Sequence, residues 1–165
     1  MNARHLLVAG CVALALAGTL SLPGCDDTQT LAPPTLHCGR DVCTECGMII
    51  NEARFAGAMI VEHDGAPGYQ VFDDIGEMLD QDLIHPDQKT LARYVQDYGG
   101  GGWVRAESAR YYVDPELHTP MGTGMVAFAS DQGARDALGK PAVATLGLAE
   151  AREVRAKDRR ERSGQ

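Results

Sequence analysis

The first 25 residues determine how much of this chain is available to fold. A short segment with one arginine, residues 1–5, precedes an apolar stretch from Leu6 to Leu22. This order is typical of a secretory signal peptide, and the apolar stretch is at the short end of what a transmembrane helix requires. Pro23 and Gly24 suit a cleavage site better than the continuation of a helix. We therefore expect export, with removal of residues 1–24 as a signal peptide.

The residues around the expected cleavage site indicate how the mature chain is held. Leu22-Pro23-Gly24-Cys25 resembles the lipobox of bacterial lipoproteins, although Pro23 stands where a small Ala or Ser is usual. The resemblance implies that Cys25 is lipidated and anchors the chain on the periplasmic side of a bacterial membrane. Asp26 is similar to an inner-membrane retention signal. An ordinary secretory signal with an incidental cysteine is the alternative. Residues 25–37 are predicted to be a tether without a fold of their own.

The charge balance limits the partners that the chain can have. It carries 15 Lys and Arg against 23 Asp and Glu, a net charge of −8. Because nucleic-acid binding needs a surplus of basic residues on one face, we exclude nucleic acid as a partner. The length of 165 residues is enough for one domain of ordinary size.

The cysteine count takes on a new meaning after export. Cys11 is removed with the signal peptide and Cys25 is occupied, so Cys38, Cys43 and Cys46 remain in an oxidising compartment. A disulfide framework uses even numbers of cysteines. At least one of the three thiols is therefore left for a metal, a mixed disulfide or redox chemistry.

Two similar units are predicted on either side of the glycine run 99–102. In the first unit, residues 38–98, we expect two strands that are joined by a tight turn and followed by a helix. These elements are the strands 56–61 and 69–72, the Asp64-Gly65 turn, and a helix from an Asp73 or Asp74 cap through Leu79.

The second unit, residues 99–146, repeats the step from strand to capped helix. Its expected elements are the strands 103–104, 109–113 and 124–128, and a helix from a Ser130 or Asp131 cap through Leu138. The segments Phe72–Asp74 and Phe128–Asp131 match best, which favours an internal duplication. The alternative is two unrelated strand-to-helix junctions.

The C-terminal segment, residues 147–165, is rich in Ala, Glu, Arg and Lys and lacks a persistent apolar face. We predict a solvated charged tail, and a charged, frayed helix is the alternative. Its basic residues alternate with Glu153, Asp158 and Glu161, which argues against a role in binding anionic lipid headgroups.

The run from His37 to Met48 concentrates the chemistry of the chain. It contains three thiols, one imidazole and one thioether within twelve residues. Such a group can hold zinc, cycle as a dithiol, form a structural disulfide, or bind a soft monovalent ion. The composition of the run leaves all four open.

Two methionines favour the soft ion. Thioether sulfur suits Cu(I) but is a poor ligand for zinc. Met48 follows Cys46 by two residues, and Gly47 between them leaves the backbone free to turn both side chains toward one ion. Met121 lies in a loop of small residues, 119–124, which cannot bury it unaided. For both methionines, packing in the core is the alternative.

Three segments together resemble a known family. They are Cys43-x-x-Cys46-Gly47-Met48-Ile49-Ile50, Phe72-Asp73-Asp74-Ile75-Gly76-Glu77-Met78-Leu79, and Pro120-Met121-Gly122 followed by Val126-Ala127-Phe128. In this order, behind a lipobox, they look like the NosL family of nitrous-oxide-reductase accessory lipoproteins. The likeness spans residues 43 to about 140.

The resemblance implies an α+β fold of two small ββαβ units packed together, a fold shared with organomercurial lyase. It implies a periplasmic, membrane-anchored Cu(I) chaperone that is not an enzyme. Such a chaperone supplies copper for the maturation of nitrous oxide reductase, together with an ABC-type copper and sulfur transporter complex. Carried over by motif, the metal ligands are Cys46, Met48 and Met121, with Cys43 and His118 as further candidates. Cys38 has no counterpart, so a Cys38–Cys43 disulfide stays open.

Three other functions remain as alternatives. The first is an exported structural zinc module that uses His37, Cys38, Cys43 and Cys46. The second is a thiol-redox protein, which is less favoured because Cys43-x-x-Cys46 does not follow a long apolar strand at the start of a helix. The third is an enzyme like organomercurial lyase, which has only the similarity of fold in its favour.

Overall fold

The computed structural model describes residues 31–164. The predicted signal peptide and the lipidation of Cys25 lie outside the described residues. A short 3-10 turn, Ala53–Phe55, precedes the sheet. The elements that follow are β1 (Gly57–His63), β2 (Ala66–Phe72), α1 (Ile75–Ile84), β3 (Thr90–Asp97), β4 (Gly102–Arg105), β5 (Arg110–Val113), β6 (Met125–Phe128), α2 (Asp131–Leu138) and α3 (Leu148–Ser163). None of these helices has the length and the apolar character that crossing a membrane would require.

The β1–β2 hairpin forms where the turn signal places it. Asp64 and Gly65 both adopt positive φ, 50° and 79°, and they connect the paired residues His63 and Ala66. A two-residue turn of this kind matches the natural twist of the strands, and Asp-Gly tolerates the left-handed conformation that it needs. Both strands extend further toward the turn than the sequence predicts.

All six strands belong to one sheet. The order is β2-β1-β3-β6-β5, and β4 also pairs with β3. The pairing of β3 with β6 is parallel and is centred on Asp97 and Ala127. The predicted α+β class is confirmed, but the two units share a continuous sheet.

The internal repeat is visible in the strand pairing. In the first unit, β1 lies between β2 and β3, and α1 connects those two outer strands. In the second unit, β5 pairs with β6, and after α2 the chain returns to β5 through a single bridge between Tyr111 and Leu146. The second unit therefore repeats the ββαβ plan with its last strand reduced to one residue. β4 was predicted as part of this unit, but it pairs with β3 across the glycine loop.

The sheet is covered on both faces. Alternate residues of β1 and β6 contact the two sides, as the pleat of a strand requires. On one face Met59 and Met125 pack in a cluster with residues of α1 and with Ala151 of α3. On the opposite face, Val126 and Phe128 pack with Ala134 of α2.

Part of the predicted tether lies against the sheet. Three side chains of the sheet donate hydrogen bonds to backbone carbonyls of this segment. They join Tyr94 to Leu31, Tyr69 to Ala32 and Trp103 to Pro34. Residues 31–36 form no helix or strand, but Leu31 packs beside Ile60 on the face opposite α1. This stretch therefore has no fold of its own, as expected of a tether, but side chains of the sheet hold its backbone in place.

The C-terminal segment is a packed helix and not the solvated tail that its sequence predicts. Arg155 of α3 is only 2% exposed. Its Nε and Nη2 atoms donate to the two carboxylate oxygens of Asp80 on α1, at 3.1 and 2.8 Å. Its Nη1 donates to Asp158 at 3.0 Å. One buried arginine and the small Ala151 therefore dock a helix whose composition lacks an apolar face.

Candidate metal centre

The two cysteines of the Cys-x-x-Cys segment lie in a tight hairpin. Val42 and Ile49 form an antiparallel bridge. The Cys43 amide donates to the Met48 carbonyl at 2.8 Å, and the Gly47 amide donates to the Cys43 carbonyl at 3.1 Å. Gly47 has a φ of 73°, a conformation that a side chain would disfavour. Because the segment is a turn, its two cysteines do not themselves begin a helix.

Thr44 fastens this hairpin to the end of β2. Its amide donates to the Val71 carbonyl at 2.7 Å, and its Oγ1 accepts from the Val71 amide at 3.1 Å. Asp73 follows Val71 by two residues, and α1 begins at Ile75. The hairpin is thereby held beside the N-terminus of α1.

Two thiols and two carboxylates meet at this junction. Cys43, Cys46, Asp73 and Glu77 each offer one ligand atom, and these atoms all lie within 4.8 Å of one another. We call these four residues the metal cluster. The Cys43 thiol donates to Oε2 of Glu77 at 3.1 Å, and the Cys46 Sγ lies 3.8 Å from both carboxylate oxygens of Asp73. This geometry is suited to a cation.

The side chains of the metal cluster differ in their exposure to solvent. Cys43 is 1% exposed and Glu77 is 8% exposed, whereas Cys46 is partly open to solvent. Burial raises the pKa of Glu77 to about 7, the hydrogen bond from Cys43 opposes this shift, and the charge of Asp73 adds to it. Burial also raises the pKa of the Cys43 thiol well above its ordinary value. The deep thiol therefore keeps its proton near neutral pH, and a metal that binds it must displace that proton.

Asp74 connects the metal cluster to the loop that carries Met121. This fully buried carboxylate caps α1 by accepting from the Gly76 amide at 2.8 Å, as expected for a helix N-cap. It also accepts from the Thr119 hydroxyl at 2.6 Å, from the Met121 amide at 3.1 Å and from the Thr123 hydroxyl. One side chain therefore holds the loop of the second unit against the helix of the first.

Each of the two predicted thioether ligands lines a cavity to which a carboxylate of the metal cluster also contributes. Met48 is 46% exposed, and it lines a cavity of about 220 Å³ together with Asp73 and Pro120. Met121 lines a second cavity, of about 170 Å³, together with Glu77. Each methionine therefore shares a cavity with one carboxylate of the metal cluster. Met48 belongs to the first unit and Met121 to the second.

The other candidates lie away from the metal cluster. His118 is exposed, and its Nδ1 lies 3.1 Å from the Glu116 carbonyl. His37 and Cys38 are exposed at the start of the hairpin segment. Cys38 and Cys43 are both free thiols, and within residues 31–164 the metal cluster includes neither His37 nor Cys38. The four ligands proposed for a structural zinc module are therefore not brought together.

Sequence reasoning missed the carboxylates. Asp73 and Glu77 lie within the second family motif, but acidic residues at the start of a helix are ordinarily explained by capping and by the helix dipole. The available signal was their position, because Asp73, just before the N-cap Asp74, and Glu77, in the first turn, lie on the same side of the helix start. Only the docking of the hairpin beside α1 identifies that side as the one that contacts the cysteines.

Comparison with known proteins places this arrangement in a family. The family model named NosL matches residues 35–141, which is more than half of the chain. The chain belongs to the NosL family. The matched region contains all four residues of the metal cluster as well as Met48 and Met121, and it ends before α3. The resemblance that the motifs indicate is thus confirmed.

A solved structure shares the NosL fold. It is the crystal structure of the copper chaperone NosL from Shewanella denitrificans, which aligns with a TM-score of 0.54 and 18% sequence identity. The alignment covers 72% of this chain and 96% of that one. No curated protein matches the sequence.

Proposed function

We propose that this chain is a copper carrier that takes up Cu(I) at the metal cluster and passes it on without catalysing a reaction. The observation that carries the proposal is the grouping of Cys43 and Cys46 with two carboxylates, one of which lines the cavity of Met48 and the other the cavity of Met121. Thiolate and thioether sulfur are the ligands that Cu(I) prefers. Membership of a family that includes a copper chaperone supports the same function.

The gradient of exposure supports transfer over storage. Cys43 is buried, but Cys46 and Met48 are accessible from one side. An acceptor can then replace the outer ligands one at a time while the inner thiolate still holds the ion. A fully enclosed site would require the fold to open before copper could leave.

We also propose where in the cell the chain acts, on the basis of its N-terminal sequence and its family. We propose that Cys25 carries the lipid anchor and that the chain acts on the periplasmic side of the inner membrane. The lipobox and Asp26 support this location. The proposed recipient of the copper is nitrous oxide reductase, reached together with an ABC-type transporter complex.

Zinc is the second candidate metal, because two thiolates and two carboxylates also form a set that zinc accepts. A competition experiment separates the two metals. We expect the reduced full-length chain to bind about one Cu(I) in the presence of a Cu(I) chelator and to retain it against excess Zn(II). Metal content after gel filtration measures the outcome. Equal or stronger retention of zinc would contradict the proposal.

The role of the two methionines is tested separately. Met48→Leu and Met121→Leu should each weaken Cu(I) binding and lower the number of sulfur neighbours seen by X-ray absorption at the copper edge. Leucine conserves the volume of methionine, so the stability cost should stay below about 1.5 kcal/mol. The matched control is Met59→Leu, at a buried methionine on β1. It should change neither the Cu(I) affinity nor the number of sulfur neighbours. An unchanged sulfur shell in Met121→Leu would mean that Met121 only packs beside the metal cluster.

A further inference from the structure

The C-terminal half of α3 carries a surface that the proposed copper site leaves unexplained. It lies beyond residues 35–141, the part of the chain that matches the family model. A shallow groove of about 500 Å³ runs along it, lined by Leu83, Ala156, Arg159, Arg160, Ser163 and Gly164. We call this surface the basic groove.

The basic groove combines an apolar floor with arginine side chains whose charge is largely free. Leu83 is 44% exposed on the floor, beside Ala156. Arg160 forms no ion pair with any residue in 31–164, and Arg159 has only a 3.5 Å contact to Asp80, which Arg155 already holds. None of the six lining residues is acidic, although the whole chain has a net charge of −8. The groove is therefore complementary to an anionic ligand with an apolar group.

The basic groove continues toward the metal cluster. Arg159 lines the groove, and it also lines the cavity that contains Met121 and Glu77. Arg162 stands at the mouth of the same cavity, with only a 3.7 Å contact to Asp158. Because Glu45, Glu77 and Asp80 also line that cavity, an anionic ligand would stay in the groove, next to the cavity and outside it.

We propose that the basic groove docks an acidic segment of the protein that exchanges copper with this chain. The inference rests on the proposed copper-carrier function. Arginine forms paired hydrogen bonds with carboxylates, and an apolar side chain of the same segment would cover Leu83. Docking here would bring the partner's own metal ligands to the cavity of Met121. It would thereby fix the relative orientation of the two proteins during copper exchange.

A protein segment fits the basic groove better than a membrane surface does. Anionic lipid attracts broad basic faces. On α3, however, Lys157 lies 3.8 Å from Glu161, and Asp158 contacts both Arg155 and Arg162. Among the described basic residues of α3, only Arg160 has no ion pair, and it lines a concave surface with an apolar floor.

A peptide-binding experiment tests the proposal on the full-length chain. The probe is a fluorescent synthetic peptide, rich in glutamate with a central leucine, and binding is followed by anisotropy. We expect Arg160→Glu to weaken binding at least about tenfold, because it puts a like charge opposite the peptide. The matched control is Lys140→Glu, which makes the same charge change at an exposed position after α2, on the face of the sheet opposite α3. It should alter affinity by less than about twofold, as exposed charges usually do.

Three outcomes would overturn the inference. The first is an equal loss of peptide binding in both variants, which would indicate a non-specific response to charge. The second is equal affinity of the wild-type chain for a peptide with lysine in place of glutamate. The third is a defect of Arg160→Glu in binding phosphatidylglycerol vesicles with unchanged peptide binding, which would assign the groove to the membrane. Peptide binding by a chain that fails to take up Cu(I) would contradict the proposed function but support the docking surface.

Discussion

Cys46→Ser is expected to abolish measurable Cu(I) binding. The affinity should fall at least about a hundredfold, equivalent to about 2.8 kcal/mol at about 1.4 kcal/mol for each factor of ten. A serine hydroxyl is a hard donor that stays protonated at neutral pH, whereas the thiol it replaces is a soft ligand. Cys46 is partly exposed at the turn, so the substitution should leave the fold intact. Competition titration with a Cu(I) chelator measures the loss, and circular dichroism checks the fold.

Cys38→Ser is the matched control for this prediction. Cys38 is an exposed free thiol in the same segment, and it lies outside the metal cluster. Its replacement should leave the Cu(I) affinity within about twofold of the wild type, because an exposed side chain outside the ligand set adds no bond to the ion. If Cys38→Ser lost as much affinity as Cys46→Ser, the copper ligands would have to be sought in the exposed part of the hairpin.

Arg155→Met should cost about 3–5 kcal/mol of the free energy of unfolding, the usual penalty for removing one partner of a buried ion pair. The substitution keeps most of the side-chain volume but leaves the buried Asp80 carboxylate with only the 3.5 Å contact of Arg159. Urea denaturation of the full-length chain, followed by circular dichroism, measures the change through the midpoint and the slope.

Two further variants show whether the cost comes from the unpaired charge. Arg162→Met, on the same helix but 58% exposed, should change stability by less than about 1 kcal/mol. Combining Arg155→Met with Asp80→Leu should recover most of the loss, since an apolar pair can replace a buried ion pair. A double variant as unstable as Arg155→Met alone would show that packing, and not charge, sets the penalty.

The parts of the fold that the sequence predicts are those set by local chemistry. Asp64-Gly65 forms its turn because both residues tolerate positive φ. Asp74 and Ser130 cap their helices because each side chain accepts from a backbone amide in the first turn. The cysteines of the hairpin were likewise singled out from their own segment, since three thiols in an exported chain leave at least one without a disulfide partner.

The parts that the sequence does not predict depend on distant partners. The docking of α3 rests on Arg155 and Asp80, which are 75 residues apart, so the composition of the helix alone suggested a solvated tail. The glycine run closes a hairpin that pairs β4 with β3, whereas the sequence analysis took that run as the boundary and placed β4 in the next unit. Asp73 and Glu77 become candidate ligands only once the hairpin is docked at α1.

The four hydrogen bonds of Asp74 have a consequence for the kinetics of copper capture. The carboxylate accepts from the Met121 amide and from both threonines of its loop, and these bonds fix the loop backbone against α1. In the proposed copper site, the entropy of placing the Met121 backbone is then lost during folding, and an arriving ion meets a preorganised loop. The rate of copper capture would then be set by the encounter of the ion with the protein and by the exchange of the ligands that held the ion before. A chain with a loosened residue 74 would instead bind by induced fit, more slowly at the same set of ligands.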